Sequence, residues 1–219
     1  KDILGFPLTH PNNGWLNLAE GDYVDISHSS VFTFGDGEGD KLFSIEAWFK
    51  MDDIVSFPII SKGVYDGSGS GTGEWRVATD TSGKVNLFLF DEDGNDYEAA
   101  TFDTALSVNT WYHVVFTYSG VGGASANAGI NIYLNGVHRA SALSDSGAYT
   151  AMDSGLTASI FIGRSGVGPN YANGVIDEVK IYNRVLTAFE AVDDPTEAGD
   201  TLTSGEIYKN YKHGLSKHS

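Results

Sequence analysis

An alternation of apolar and polar side chains with a period of two runs through most of this chain, and it narrows the fold more than any other feature. The segments DYVDIS (22–27), FSIEAWFKM (43–51), VNLFLF (85–90), WYHVVFTY (111–118), INIYL (130–134), IFI (160–162) and VIDEVKIY (175–182) are rich in β-branched and aromatic residues. Gly, Asn, Asp or Ser bounds each of them. The connections are those of antiparallel hairpins. Asn135-Gly136 supplies the positive φ values of a type I′ turn, Thr81-Ser82-Gly83 joins two further strands, and residues 91–95 join another pair. About a dozen strands and almost no helix are predicted, and long meanders of this kind close into two stacked sheets. The expected fold is an all-β, two-sheet antiparallel jelly-roll sandwich.

The 219 residues suit one such domain, with a core over about residues 15–187. Lys and Arg number 13 against 29 Asp and Glu, a formal charge of −16. Such a surface repels phosphate backbones and anionic lipid, so nucleic acid is not an expected partner. It can hold hard cations, calcium first among them. With no cysteine, disulfides, zinc thiolates and cysteine nucleophiles are excluded. No apolar run approaches the roughly 20 residues that span a bilayer, so membrane insertion is not expected. The chain opens at Lys1 and reads as a processed product or as part of a larger protein or assembly.

Residues 66–73 and 120–129 are Gly-rich and read as long loops. The first lacks the Gly-Lys-Ser/Thr of a phosphate loop. Residues 188–219 differ from the rest: an acidic loop, then one short helix. Thr203 reads as its N-cap with Glu206 at N3, and Gly214 as its C-cap.

The order of these segments carries a family likeness. GDYVDI (21–26), FSIEAWF (43–49), IISKG (59–63), WYHVVFTY (111–118), IYLNG (132–136), FIGR (161–164) and GVIDEVKIYNR (174–184) follow one another. This succession resembles the LamG-like jelly-roll domains of the concanavalin A-like lectin/glucanase superfamily, over roughly residues 15–187. The resemblance implies two antiparallel sheets, one of them curved. It leaves function open, since such domains serve as lectins, adhesins, virion parts, enzyme appendages, hydrolases and lyases.

Catalysis is not expected. The glucanases of the superfamily carry Glu-x-Asp-x-x-Glu on a central strand, where two close carboxylates work as nucleophile and acid. The nearest match is residues 20–25, which ends in Asp25 and lies on the first strand, where an edge is expected. Glu46 stands alone on its strand. Glu74 and Glu98 lie at strand ends, where solvent keeps them ionised. Alternation points Asp177 and Glu178 to opposite faces. Arg164 with Tyr171 is the loop pair that a lyase could use. Trp48, Trp111 and Phe116 read as core, and His113 as a packed or edge residue; no His-x-x-x-His pair suggests zinc.

The expected role is a non-catalytic binding module, carbohydrate-binding or adhesive, acting on a glycan or surface protein outside the cell, at a cell surface or on a virion. The alternatives are a structural component of a virion or surface filament, and a polysaccharide hydrolase or lyase with an unrecognised site. Loop aromatics, amides and carboxylates are the ligand candidates: Tyr65, Asp66, Trp75, Tyr149, Asn170, Tyr171 and Asn173. The resemblance implies a structural calcium (Ca2+) near the last strand, with Asp177 as ligand beside carbonyls of the N-terminal loops. The alternating Asp36, Glu38 and Asp40 among glycines form a second candidate group.

Overall fold

The computed structural model describes residues 14–19, 21–36, 38–64, 72–91, 95–154, 157–165, 170–187 and 205–218. Two antiparallel sheets make up the domain. The first has six strands in the order β1 (Leu16–Leu18), β13 (Gly174–Tyr182), β3 (Phe43–Met51), β8 (Tyr112–Tyr118), β9 (Ile130–Leu134) and β10 (Val137–Arg139). The second has seven: β11 (Ser141–Ser146), β7 (Asp96–Phe102), β6 (Val85–Asp91), β5 (Trp75–Thr79), β4 (Pro58–Lys62), β12 (Ile160–Ile162) and β2 (Val24–Ile26). The expected sandwich and its C-terminal helix, α1 (Glu206–His218), are both present. Among the described residues no helix is long and apolar enough to cross a membrane.

Alternation decides which side chains meet between the sheets. Phe43, Ile45, Phe49 and Met51 of β3 pack with Val114 and Phe116 of β8, and with Trp75, Val77, Leu87 and Leu89 from the other sheet. The β9–β10 turn takes the expected form, with Asn135 at φ 53° and Gly136 at φ 78°. The stretch read as a loop at 120–129 contains 3-10 turns over Gly123–Gly129.

Strand β3 breaks the simple half-buried pattern. Ser44, Glu46 and Trp48 point away from the core, yet they are as buried as the residues between them. The cause is α1, which lies on the outer face of the six-stranded sheet. A second apolar cluster, Val115, Tyr133, Tyr182, Leu186 and Ile207, fills that interface. Trp48 is thus buried, but beneath the helix rather than between the sheets. Trp111 is only partly buried and packs against Trp15 at a tilt, with ring centroids 5.9 Å apart. Phe116 lies in the core as expected.

The helix ends differ from their sequence reading. Glu206 opens the helix, and its carboxylate forms a two-pronged pair with Arg184, 2.6 Å on each prong. Thr203 lies outside the described residues. Gly214 does not end the helix but sits within it, where its bare Cα lies against the Trp48 indole. A Cβ there would come within 2.4 Å of Trp48 Nε1. Glycine is therefore needed for close approach to the sheet rather than for a left-handed cap.

Strand β13 carries a second departure. Its register against β3 shifts between Asp177 and Lys180, and Glu178 holds φ 48°. This is a β-bulge, which adds one residue and re-aims side chains. Asp177 and Glu178 consequently lie together, not on opposite faces.

Candidate functional site

Three places gather polar or charged side chains. The first is the interface under α1. Glu46 is fully buried and accepts hydrogen bonds from His113 Nε2 (3.2 Å), Lys180 Nζ (2.9 Å), the Tyr182 hydroxyl (2.9 Å) and Asn210 Nδ2 (2.7 Å). Burial pushes its carboxyl up, but the His113 hydrogen bond and the Lys180 charge outweigh burial and hold it at about 2. It is far from alone, and it is an ionised anchor for strand, strand and helix together. His113 is buried here as one of its partners.

The second place is one end of the sandwich. Lys62 and Glu74 are fully buried and 3.4 Å apart. Lys62 donates to the Ala158 carbonyl (3.2 Å) and lies 3.5 Å from His28 Nδ1. Glu74 accepts the backbone N–H groups of Phe34 and Gly35. Burial drives Glu74 up to about 7 despite Lys62. Glu98, opposite the core residue Leu89, is also buried and shifted up by burial. The expectation that solvent keeps these two carboxylates ionised is therefore corrected, because both strand ends fold inward. A cleft of about 280 Å³ opens nearby, lined by His28, Ser30, Thr33, Gly35, Asp36, Lys41 and Ser154.

The third place is the outer face of the seven-stranded sheet. Trp75 and Val77 point into the core, so Arg76 between them points out. The registers place Phe161, Ser61, Arg76, Phe88 and Ala99 side by side across five strands. The Arg76 guanidinium lies 4.7 Å from the Phe88 ring and 5.7 Å from Phe90. Phe88 also packs on Tyr97 at 5.2 Å. Next to Phe161, Arg164 lies 4.8 Å from that ring and 4.9 Å from Tyr23. Tyr171 joins this group, 5.9 Å from Tyr23 and bridged to Arg164 through the backbone. Arg164 Nε is buried and has no hydrogen-bond partner among the described residues. Two arginines are thus laid on aromatic rings with small Ser61 between them; Ser61, Ala99 and Phe161 are buried, Arg76, Phe88, Arg164 and Tyr171 half-buried, and Tyr23 is exposed, and together they form a cationic and aromatic platform on an acidic protein.

The ligand candidates divide accordingly. Tyr171 belongs to the platform. Asn170 donates to Ser56 Oγ (3.3 Å) and Asn173 to Asp53 Oδ2 (2.9 Å), so both brace the turns beside it. Trp75 is not on a loop but on a central strand; its ring is fully buried, and its indole donates to the Phe32 carbonyl. Tyr149 is likewise buried, with its hydroxyl on Asp40 at 2.8 Å. Each is withdrawn from the surface by the apolar bulk that made it look like a ligand platform. Tyr65 and Asp66 lie outside the described residues, as does Glu20. Arg76, Phe88, Tyr23 and Phe161 were not singled out by sequence. Their signal was an arginine and aromatics on the solvent side of apolar strands, at i and i+2.

The calcium candidates are not gathered. Asp36 turns back to accept the N–H groups of Glu38 and Gly39, and these hydrogen bonds hold its carboxyl low. Glu38 is exposed on the same turn. Asp40 points inward and takes hydrogen bonds from the Tyr118 and Tyr149 hydroxyls and the Met152 N–H. Donors on both of its oxygens do not suit a cation. Asp177 meets Glu178 and His218 instead, with ligand atoms within 4.8 Å of one another. Calcium takes six to eight oxygens, and this group supplies two carboxylates and an imidazole among the described residues; residues 1–13, part of the N-terminal region expected to add carbonyls, lie outside them.

Residues 18–191 match the model of the laminin-G type family described as the concanavalin A-like lectin/glucanases superfamily. The chain belongs to that superfamily. No curated protein sequence matches it significantly. Among solved structures, the chain is similar to the CBM40 module of the Ruminococcus gnavus IT-sialidase bound to α2,3-sialyllactose, with 16% identity and a TM-score of 0.59 over 79% of this chain and 91% of that one. The same module bound to α2,6-sialyllactose gives 16% identity and 0.57 over 79% and 92%. The K499G mutant of the NanB sialidase from Streptococcus pneumoniae gives 17% and 0.55, with 79% of this chain covered but only 26% of that larger enzyme. At these identities the likeness establishes the jelly-roll fold of this superfamily member.

Proposed function

We propose that this chain is a non-catalytic carbohydrate-binding module that works outside the cell. We place its ligand, an anionic glycan, on the outer face of the seven-stranded sheet. The observation that carries this reading is Arg164, laid on Tyr23 and Phe161 beside the Arg76–Phe88 row, with a buried Nε that has no hydrogen-bond partner among the described residues. An arginine fork binds a carboxylate through two parallel hydrogen bonds, and flat rings receive the apolar face of a sugar. The CBM40 modules of like fold, solved with sialyllactose, support a sugar acid as the ligand class.

Binding without chemistry is supported by where the unusual carboxylates lie. A glycosidase needs a protonated acid and an ionised partner in contact with substrate. Glu74 and Glu98 are raised but buried, Asp40 is locked by two tyrosines, and Glu46 is held ionised under the helix. None of them faces the platform.

Titration calorimetry with 3′-sialyllactose, 6′-sialyllactose and lactose tests the proposal. Both sialylated sugars are expected to bind and lactose to bind at least tenfold more weakly. Arg164→Ala is expected to cost about 1.5–3 kcal/mol, roughly ten- to a hundredfold in Kd. Unchanged affinity in that variant, or equal binding of lactose, overturns this placement.

A further inference from the structure

At the Asp177 position, where the superfamily likeness implies calcium, a carboxylate pair meets an imidazole. The β13 bulge turns Asp177 and Glu178 to the same face. His218, on the last turn of α1, descends onto them between the rings of Trp48 (4.5 Å) and Trp111 (4.3 Å). The His218 side chain is fully buried; Nε2 lies 3.3 Å from Asp177 Oδ2, and neither ring nitrogen makes a hydrogen bond among the described residues. A buried imidazole without a hydrogen-bond partner is costly, and a bound ion is one of the few things that offset the cost.

We propose that Asp177, Glu178 and His218 form a binding site for a borderline divalent transition metal, zinc foremost. One nitrogen and two carboxylates suit zinc, whereas calcium requires a shell of oxygens. Ligand atoms on a tetrahedral zinc, about 2.0–2.2 Å from the metal, lie roughly 3.4 Å apart. His218 Nε2 and Asp177 Oδ2 are already 3.3 Å apart. Glu178 is the arm that closes the site. Its present counter-ions are Lys217 and, at 3.5 Å, Lys180. The metal takes over the role of Lys217, which is half exposed at the helix end and free to swing into water. A metal bound here ties α1 to β13 and so fastens the helix to the sheet.

The test uses the full chain, stripped with a chelator and titrated with zinc chloride or calcium chloride while melting temperature and tryptophan emission are followed. Zinc is expected to bind at one saturable site, raise the melting temperature and change the emission of the tryptophans around His218; calcium is expected to do none of these. Asp177→Asn, which preserves shape, and His218→Ala should each weaken zinc binding about tenfold or more. His138→Ala, at an exposed histidine elsewhere, should leave it unchanged. Zinc without effect on melting, undiminished binding in Asp177→Asn, equal stabilisation by calcium, or loss of binding in His138→Ala would each overturn the proposal.

Discussion

Glu46 and Gly214 are the two residues on which the outer face of the six-stranded sheet depends. Glu46 is charged, fully buried and bonded to four side chains from β8, β13 and α1. Removing one member of a buried charged set leaves the others desolvated without compensation. Glu46→Gln is expected to cost about 3 kcal/mol, read as a lower urea midpoint with an unchanged slope. Gly214→Ala tests a more counterintuitive case. In an exposed helix this change gains about 1 kcal/mol. Here the added methyl meets the Trp48 indole, so a loss of about 1–3 kcal/mol is expected. A variant more stable than the parent would show that α1 does not sit on Trp48.

At the scale of elements, α1 and the β13 bulge explain how the outer face of the six-stranded sheet is closed. The helix supplies Ile207 to an apolar cluster on the outer face of the six-stranded sheet and the rings of Tyr208 and Tyr211 to the back of the Asn135-Gly136 turn. A chain ending at Thr187 would expose Trp48, Tyr133 and Val115, at about 1.5–3 kcal/mol for each large side chain returned to water. Such a truncation is expected to lower the melting temperature and to bind a hydrophobic dye. It should keep its affinity for sialyllactose, because the platform lies on the opposite sheet. Loss of sugar binding with the helix would move the site to the α1 side.

For the whole molecule, three buried groups set the pH response. Glu46 titrates near 2 in the folded state against an ordinary 4.5, so its contribution is complete above about 4.5 and is lost as the pH falls to about 2. His218 is lowered from 6.5 to about 4, so folding favours its neutral form and stability is lost as the pH falls from 6.5 to about 4. Glu74 runs the other way. Raised from 4.5 to about 7, its contribution is complete below 4.5 and is lost as the pH rises to about 7. Between about 4.5 and 6.5 the Glu74 and His218 trends oppose each other, and below about 4 the Glu46 trend acts without them. Melting temperature against pH should therefore show a plateau followed by a steep acid arm. Glu46→Gln should flatten the acid arm. An even decline from pH 7 downwards, unaffected by that substitution, would count against these assignments.

The alternation of side chains, the Asn-Gly turn and the order of strand motifs were enough to specify two antiparallel sheets and the superfamily, because burying one face of a strand is a local, period-two demand. The sites answered to other rules. Trp75 and Tyr149 have the composition of a ligand platform, yet packing drew them inside. Arg76 and Phe161 have the composition of ordinary strand residues, yet register set them in one row on the outer face, with Ser61 between them. Asp177 and Glu178 share a face only because of a bulge, and His218 reaches them only because Gly214 lets the helix lie close on Trp48. Which strand neighbours which, where a ladder slips by one residue and how near a helix approaches are set by contacts between residues far apart in the chain. Those contacts exist only in the folded molecule, so the tertiary structure alone decided the sites.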